Sequence, residues 1–179
     1  MNLASFITLL RIFLILPIIY LTSKESSFLN WVALLLFLIA GMTDYLDGYI
    51  ARKTNTESSL GALLDLLADK LLVCIVLIWL VFIANSFLLI YPVMIIISRE
   101  LIVSSFRQFI VEKKGNNPIN VSYIAKSKTT SQFIAISFLI ISPGFGSLFN
   151  SFTIFLLWVA ALMSIYSLMK YISEYKKII

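Results

Sequence analysis

The stretch LLVCIVLIWLVFIA at residues Leu71–Ala84 contains no charged residue and completes a longer apolar segment, Leu60–Ala84. About 20 apolar residues cross the hydrocarbon core of a bilayer as a helix, so this segment predicts a transmembrane helix. Short polar breaks separate it from five similar segments: Phe6–Leu21, Phe28–Tyr49, Phe87–Phe109, Val121–Ile141 and Leu148–Tyr171. We therefore predict an all-α, polytopic membrane protein with six transmembrane helices.

The composition supports this fold class. Of the 179 residues, 60% are hydrophobic and 13% are charged, whereas soluble domains are about 45–50% apolar and about 25% charged. These values exclude an ordinary soluble globular protein. Six helices with short loops account for the whole length, so we expect residues 1–179 to form a single membrane domain.

The basic residues predict the orientation in the membrane. With six helices, both termini and the second and fourth loops lie on one side, and all Lys and Arg residues except Lys24 lie nearer to that side. Cytoplasmic loops carry the excess of Lys and Arg. We therefore expect the termini and these two loops to face the cytoplasm.

Two absences restrict the possible metal chemistry. The sequence contains no histidine, and its single cysteine, Cys74, lies in an apolar stretch. Histidine-ligated zinc or iron sites and thiolate clusters are thereby excluded. Any metal held by side chains must bind Asp or Glu oxygens, which favours hard ions such as Mg²⁺, Mn²⁺ or Ca²⁺.

Several ionisable residues lie within the apolar segments or at their ends. Insertion of a charge at this depth costs roughly 2.5–3.5 kcal/mol, so each such residue marks a candidate functional site. A structural ion pair between helices is the alternative, and for Arg99 and Glu100 both interpretations stay open. The residues concerned are Asp44, Asp47, Asp65, Asp69, Lys70, Arg99 and Glu100.

The four aspartates form two pairs with helical spacing. Asp44 and Asp47 are three residues apart and Asp65 and Asp69 are four apart, so each pair lies on one face of its helix. A loop of about eight residues makes the two helices antiparallel neighbours. Four converging carboxylates repel one another unless cations neutralise them. The pattern therefore predicts two divalent ions at an all-oxygen site suited to phosphoryl transfer.

The residues around these aspartates suit a phosphate ligand. Gly48 lets a ligand approach the backbone directly after Asp47, and Gly61 permits close helix contact one turn before Asp65. Arg52 is suited to bidentate binding of a diphosphate. The alternative is that both glycines only pack helices and that Arg52 only anchors the topology.

The complete pattern, Asp44-x2-Asp47-Gly48-x2-Ala51-Arg52-x8-Gly61-x3-Asp65-x3-Asp69, resembles the signature of the CDP-alcohol phosphatidyltransferase family at all eight fixed positions. The resemblance implies a six-helix membrane enzyme, commonly dimeric, that transfers a phosphatidyl group from a CDP-linked lipid to an alcohol and releases CMP. It assigns two metal ions to Asp44, Asp47, Asp65 and Asp69, and the catalytic proton acceptor to Asp69. It assigns contacts with the CDP-lipid to Thr8, Gly48, Ala51, Arg52, Ser58 and Gly61.

Flanking residues resemble one branch of this family, the phosphatidylglycerophosphate synthases, which use glycerol 3-phosphate as acceptor. The resemblance rests on Asn2-x5-Thr8-x2-Arg11, Arg99-Glu100-x3-Ser104-x2-Arg107 and Lys126-x-Lys128-Thr129. The sequence departs from this branch at Ala4 and Ser5, where Pro and Asn are usual. The branch implies CDP-diacylglycerol and glycerol 3-phosphate as substrates, Mg²⁺ or Mn²⁺ as cofactor, and a homodimer in a bacterial inner membrane with its active site facing the cytoplasm.

An acceptor that carries its own phosphate needs a cationic pocket beside the metals. Arg107, Lys126 and Lys128 flank the fourth loop and are the candidates for this pocket. The alternative is that they only attract anionic lipid headgroups.

Two other functions stay open at this point. A sister phosphatidyltransferase that uses inositol phosphate, serine or another alcohol would share all four aspartates. A divalent-cation transporter is the alternative of a different class, although it gives no reason for Gly48, Arg52 and Gly61 at these spacings.

Overall fold

The computed structural model describes residues 3–24, 26–54, 59–114 and 123–176, and all regular secondary structure in these residues is helical. Each of the six predicted segments corresponds to one α-helix of the described chain, so the all-α fold is confirmed. A short 3-10 turn, Ser142–Gly144, precedes the last helix. The helices are α1 (Leu3–Thr22), α2 (Ser27–Thr54), α3 (Ser59–Ala84), α4 (Phe87–Lys114), α5 (Tyr123–Ile141) and α6 (Ser147–Lys176).

Some helices extend beyond the apolar segments that predicted them. α2 continues past Tyr49 to Thr54, and α4 continues past Phe109 to Lys114. Hydropathy marks where contact with lipid ends, whereas helical hydrogen bonding continues through good helix formers such as Arg and Lys. The loop of about eight residues predicted between α2 and α3 is therefore too long, because α2 ends at Thr54 and α3 already begins at Ser59.

The connection between α3 and α4 is a tight turn at Asn85. The φ angle of Asn85 is 44°, in the left-handed region, and its backbone N–H donates to the carbonyl of Val81 at 3.2 Å. Asn is one of the few residues that tolerate this conformation after the last helical turn. The turn lies between the predicted segments Leu60–Ala84 and Phe87–Phe109 and ends α3 where its apolar segment ends.

The described helices expose an apolar surface of the kind that membrane helices have. Large apolar side chains are exposed on them, including Phe82 at 72% and Phe87 at 81%. An apolar surface of this extent is unfavourable in water and favourable in lipid. The chain is therefore an integral membrane protein. By length and composition, three described segments are able to cross a bilayer: Leu66–Ala84, Phe87–Phe106 and Ser147–Ser173.

One compact unit contains α1, α2 and α3, together with the end of α5 from Ser137 and the residues that follow it to Asn150. α1 packs against both α2 and α3. Ile18, Phe37 and Val76 are fully buried in this unit. This packing brings the two helices that carry the aspartates into one folded body.

A second compact unit contains α4, the part of α5 that ends at Ile136, and α6 from Ser151. Ile96, Leu157 and Ala160 are fully buried here. Several polar side chains are buried with them. A polar group removed from both water and lipid headgroups needs hydrogen-bond partners within the protein.

Candidate active site

α2 carries the first half of the predicted site on one stripe of its surface. The helix is continuous from Ser27 to Thr54, so the predicted residues follow helical register. At 3.6 residues per turn their positions fall within an arc of about 140°. The stripe consists of Asp44, Asp47, Gly48, Ala51 and Arg52. Two aspartates suited to metal binding and an arginine suited to a diphosphate therefore share one side of α2.

α3 carries the second half. Gly61, Asp65 and Asp69 follow one another at intervals of four residues within this helix, so they also share one stripe. α2 and α3 belong to the same compact unit and contact each other. Ser58, which is predicted to contact the CDP-lipid, lies outside the described residues.

Convergence of the four carboxylates stays a prediction. The side chains of Asp44, Asp47 and Asp65 lie outside the described residues, as do those of Ala51 and Arg52. Among the described side chains there is no group of three or more His, Cys, Asp or Glu that is placed to hold a metal ion. Asp69 is the only one of the four aspartates whose side chain is described, so this finding does not test the predicted cluster.

Asp69 is half-buried on α3, directly after the fully buried Ala68. Part of this side chain is exposed, and its helix is fixed by the buried neighbour. A carboxylate is one of the groups that accept a proton in general acid–base catalysis. Its oxygens are also the donor type that Mg²⁺ and Mn²⁺ prefer. The donor chemistry of the aspartate stripes thus fits hard divalent ions.

α1 contributes two buried polar side chains on one face, Thr8 and Arg11, which are 2% and 1% exposed. Arg11 Nε donates to Thr43 Oγ1 on α2 at 3.5 Å, and Thr43 Oγ1 donates to the carbonyl of Ala40 at 2.8 Å. Thr43 directly precedes Asp44 in the sequence. Arg11 therefore connects α1 to α2 beside the first aspartate, a contact that sequence analysis did not predict.

In the second unit, the carboxylate of Glu100 on α4 pairs with two basic side chains. Lys128 on α5 forms an ion pair with Glu100 Oε1, and Arg99 Nη1 lies 3.3 Å from the same oxygen. Gln132 Nε2 on α5 donates to it at 3.4 Å. A functional site and a structural ion pair between helices are the two interpretations of Arg99 and Glu100. The structure contains an interhelical ion pair of Glu100, and its basic partner is Lys128 on α5. Arg99 contacts Glu100 within α4.

The same network reaches α6. Arg99 Nη2 donates to Ser167 Oγ at 2.9 Å, and Gln132 Nε2 donates to Ser164 Oγ at 2.9 Å. Gln132, Ser164 and Ser167 are buried, and sequence analysis assigned them no role. Their helical spacing was the available signal: Gln132 lies four residues after Lys128, and the two serines are three residues apart.

The three residues predicted for the acceptor phosphate lie on α4 and α5. Arg107 is on α4, and Lys126 and Lys128 are on the first turns of α5. The side chains of Arg107 and Lys126 lie outside the described residues. Lys128 is 6% exposed and is held by Glu100. Binding of a phosphate by this set stays a prediction.

The sequence of the chain matches the profile of the CDP-alcohol phosphatidyltransferases over residues 1–166. The chain belongs to this family, whose members generally use divalent metal ions. It is 36% identical over 178 residues to the CDP-diacylglycerol–glycerol-3-phosphate 3-phosphatidyltransferase of Haemophilus influenzae, covering 98% of this chain and 94% of that relative. The proteins of the same name from Escherichia coli K12 and Salmonella typhimurium are 33% and 32% identical, with 96% of this chain and 93% of each relative covered.

Proposed function

We propose that this protein transfers the phosphatidyl group of CDP-diacylglycerol to glycerol 3-phosphate, giving phosphatidylglycerophosphate and CMP in phospholipid biosynthesis. The observation that carries the proposal is the complete eight-residue pattern on the continuous helices α2 and α3. Membership of the family supports phosphatidyl transfer. Relatives that carry the name of this activity, aligned over nearly their whole length, support glycerol 3-phosphate as the acceptor.

The proposed cofactor is a pair of divalent ions, Mg²⁺ or Mn²⁺. Their proposed ligands are the carboxylates of Asp44, Asp47, Asp65 and Asp69. When bound, the ions supply positive charge that neutralises the aspartates and the diphosphate of the CDP-lipid. The proposal is supported by an oxygen-only donor set on two stripes and by the lack of histidine in the sequence.

The proposed reaction is an in-line displacement at the lipid-proximal phosphorus of CDP-diacylglycerol. Asp69 accepts the proton of the primary hydroxyl of glycerol 3-phosphate while the hydroxyl oxygen forms the new bond to phosphorus. The bond from this phosphorus to the bridging oxygen breaks, and its electron pair leaves with CMP. Proton transfer to one positioned base typically contributes 10²–10⁴-fold to the rate.

The remaining motif residues are proposed to hold the two substrates. Thr8, Gly48, Ala51, Arg52, Ser58 and Gly61 are the proposed contacts of the CDP-lipid. The guanidinium of Arg52 suits its diphosphate, and the glycines let the head group approach the helix backbone. Arg107, Lys126 and Lys128 are the proposed cationic groups for the phosphate of the acceptor.

We further propose that residues 1–179 form one membrane domain with six spanning helices in a bacterial inner membrane, with both termini and the active site facing the cytoplasm. The six helices of the described chain and the bacterial relatives support this arrangement. The distribution of basic residues also supports it, because in this topology Lys24 is the one Lys or Arg residue nearer to the non-cytoplasmic side. In a Cys74→Ser background, a cysteine introduced at Lys24 should react with a membrane-impermeant maleimide in intact cells. A cysteine introduced at Asn116 should react only after the cells are opened.

Cross-linking in membranes tests the proposed homodimer. A covalent species of twice the monomer mass is expected, and a species that stays monomeric at every reagent concentration would contradict the proposal. The measurement reads only the mass of the cross-linked product, so it does not depend on which residues form the dimer interface.

One assay tests the proposed activity against its alternatives. The purified protein is incubated with CDP-diacylglycerol and Mg²⁺ or Mn²⁺, each candidate alcohol is offered in turn, and CMP is measured. We expect CMP release with glycerol 3-phosphate. Release with inositol phosphate or serine instead would identify a sister enzyme, and metal flux in proteoliposomes without CMP release would identify a transporter.

A further inference from the structure

α1 holds α2 and α3 together in the first unit. In the described residues, α1 packs extensively against both helices, whereas α2 and α3 contact each other much less. The buried side chains of α1 recur at spacings of three and four residues, which is typical of a helix that packs with one stripe against its neighbours. These side chains are Thr8, Arg11, Ile15, Ile18 and Thr22. The relative placement of the two aspartate stripes therefore depends on α1.

The buried stripe of α2 continues in register into the aspartates. Ala33, Phe37 and Ala40 are fully buried. Asp44 and Asp47 follow at the next spacings of four and three residues on the same continuous helix. The first half of the proposed metal site is thus a continuation of the stripe by which α2 packs in the first unit.

One polar link joins α1 to α2 next to the aspartates. Arg11 is 1% exposed, and its Nε donates to Thr43 Oγ1 at 3.5 Å. Thr43 Oγ1 donates in turn to the carbonyl of Ala40 at 2.8 Å, which fixes the orientation of the hydroxyl. Apolar packing is non-directional, whereas a hydrogen bond from a charged donor is directional. The link therefore restricts the rotation of α2 about its axis one residue before Asp44.

We propose that Arg11 and Thr43 are positioning residues for the metal site: their hydrogen bond sets the rotation of α2 against α1 and thereby the direction of the α2 aspartates. The proposal rests on the proposed function, because it requires divalent ions at the four aspartates. A helix rotation of roughly 10° moves a group about 6 Å from the helix axis by about 1 Å. Small divalent ions demand near-ideal ligand geometry, so a shift of this size weakens their binding.

The other end of α1 offers a matched control. Thr22 Oγ1 accepts from Trp79 Nε1 on α3 at 3.0 Å and donates to the carbonyl of Ile18 at 2.8 Å. Thr22 and Thr43 thus each accept one interhelical hydrogen bond and donate within their own helix. Thr22 lies about 16 Å farther along α1 than Arg11. Loss of its hydroxyl removes a link of the same kind far from the proposed metal site.

The test compares equilibrium binding of Mn²⁺ by wild type, Thr43→Val and Thr22→Val in the absence of substrates. Electron paramagnetic resonance measures the free ion, with each protein in detergent well below its Tm. Val has nearly the shape of Thr and neither substitution changes a charge, so a change in Kd reports geometry. We expect Kd to rise about 3–10-fold in Thr43→Val and to change less than about twofold in Thr22→Val. The expected rise is smaller than the roughly 10–100-fold effect of a residue that hydrogen-bonds to a metal ligand directly.

Thr43→Ser separates the hydroxyl from the packing of the side chain. It loses a methyl group but keeps the oxygen that accepts from Arg11. We expect it to bind Mn²⁺ with nearly the wild-type Kd. A rise equal to that of Thr43→Val would assign the effect to lost packing and would overturn the proposal.

Arg11→Lys tests the same link from the side of α1, even if Thr43→Val does not fold. It keeps the positive charge and most of the chain length, but it has no nitrogen at the position of Nε. We expect a similar rise in Kd for Mn²⁺, and an unchanged Kd would overturn the proposal.

Two further outcomes separate this proposal from the proposed function. Equal increases of Kd in Thr43→Val and Thr22→Val would indicate general loosening of the unit and would overturn the positioning role alone. Wild-type protein that binds no Mn²⁺ would contradict the proposed metal site, and the positioning role would fall with it.

Discussion

Arg11 Nε on α1 donates to Thr43 Oγ1 on α2 at 3.5 Å, one residue before Asp44. Arg11 is 1% exposed, so its long side chain fills space between helices as well as carrying a charge. A fully buried arginine is unusual, and membrane topology alone does not require it to be buried. The contact joins the helix that begins the chain to the stripe that carries the first two aspartates.

Replacement of Arg11 should destabilise the first unit. Arg11→Ala leaves a cavity between α1 and α2, and we expect a loss of about 2–5 kcal/mol, equivalent to a fall in Tm of roughly 5–15 °C. Thr43→Val removes the 3.5 Å hydrogen bond from Arg11 and the 2.8 Å hydrogen bond to the carbonyl of Ala40, leaves no comparable cavity, and should cost about 1–2 kcal/mol. Thermal unfolding in detergent measures both values.

Lys24→Ala is the control for removal of a basic side chain in the same unit. Lys24 is exposed and its ammonium lies 4.9 Å from the centre of the Tyr20 ring. An exposed cation–π contact contributes about 0.5–1 kcal/mol, so Tm should change little. Equal stability of wild type and Arg11→Ala would contradict the inference that buried Arg11 stabilises the packing of α1 against α2.

Asp69→Asn should stop turnover without unfolding the protein. The substitution keeps the size of a half-buried side chain and removes its ability to accept a proton, so we expect kcat to fall by about 10²–10⁴-fold. CMP release measures kcat, and size-exclusion chromatography with Tm reports folding. Glu174→Gln, at the end of α6 and outside both aspartate stripes, is the matched control and should keep wild-type kcat. Near-normal kcat in Asp69→Asn would refute the proposed role of Asp69.

Removal of divalent ions should abolish activity reversibly. EDTA is expected to stop CMP release, and excess Mg²⁺ or Mn²⁺ should restore it, because four uncompensated carboxylates cannot hold a diphosphate. In Asp44→Asn, the metal concentration for half-maximal activity should rise by at least about 10–100-fold. Loss of a residue that only hydrogen-bonds to a metal ligand already has an effect of this size, and Asp44 is a proposed ligand itself. Full activity in EDTA would contradict the metal site.

The order and the apolar parts of the helices could be predicted from the sequence because apolar length is a local property. The turn at Asn85 and the break before α6 fall where polarity interrupts the apolar segments. The ends of α2 and α4 could not be placed, because Arg52, Lys113 and similar residues continue a helix after it leaves the apolar layer.

The residues of the candidate site could be predicted for a different reason. Asp44, Asp47, Asp65 and Asp69 are charges in apolar segments, so each is conspicuous without knowledge of its neighbours. Ser164 and Ser167 are not, because an uncharged polar residue is common in a membrane helix and gains its role only from its partner. The pairing of Gln132 with Ser164 depends on how α5 and α6 pack, which local spacing does not determine.

The turn before α6 offers a test of close packing with a built-in control. A methyl group added at Gly144 would lie 2.9 Å from Ser27 Oγ and 3.3 Å from Ser27 Cβ, whereas one added at Gly146 would meet no atom within 4 Å. Gly144→Ala should therefore cost about 1 kcal/mol, because Ser27 must move at the start of α2. Gly146→Ala should leave Tm unchanged or raise it slightly, because it only restricts the unfolded chain.

Ser27→Ala in the Gly144→Ala background should recover part of the lost stability, because it removes the nearest of the clashing atoms. The two substitutions are in direct contact, so their effects on the free energy of unfolding should not add. A double-mutant cycle on Tm measures this coupling. Strict additivity, or equal losses from Gly144→Ala and Gly146→Ala, would mean that the turn does not press against α2 as the structure has it.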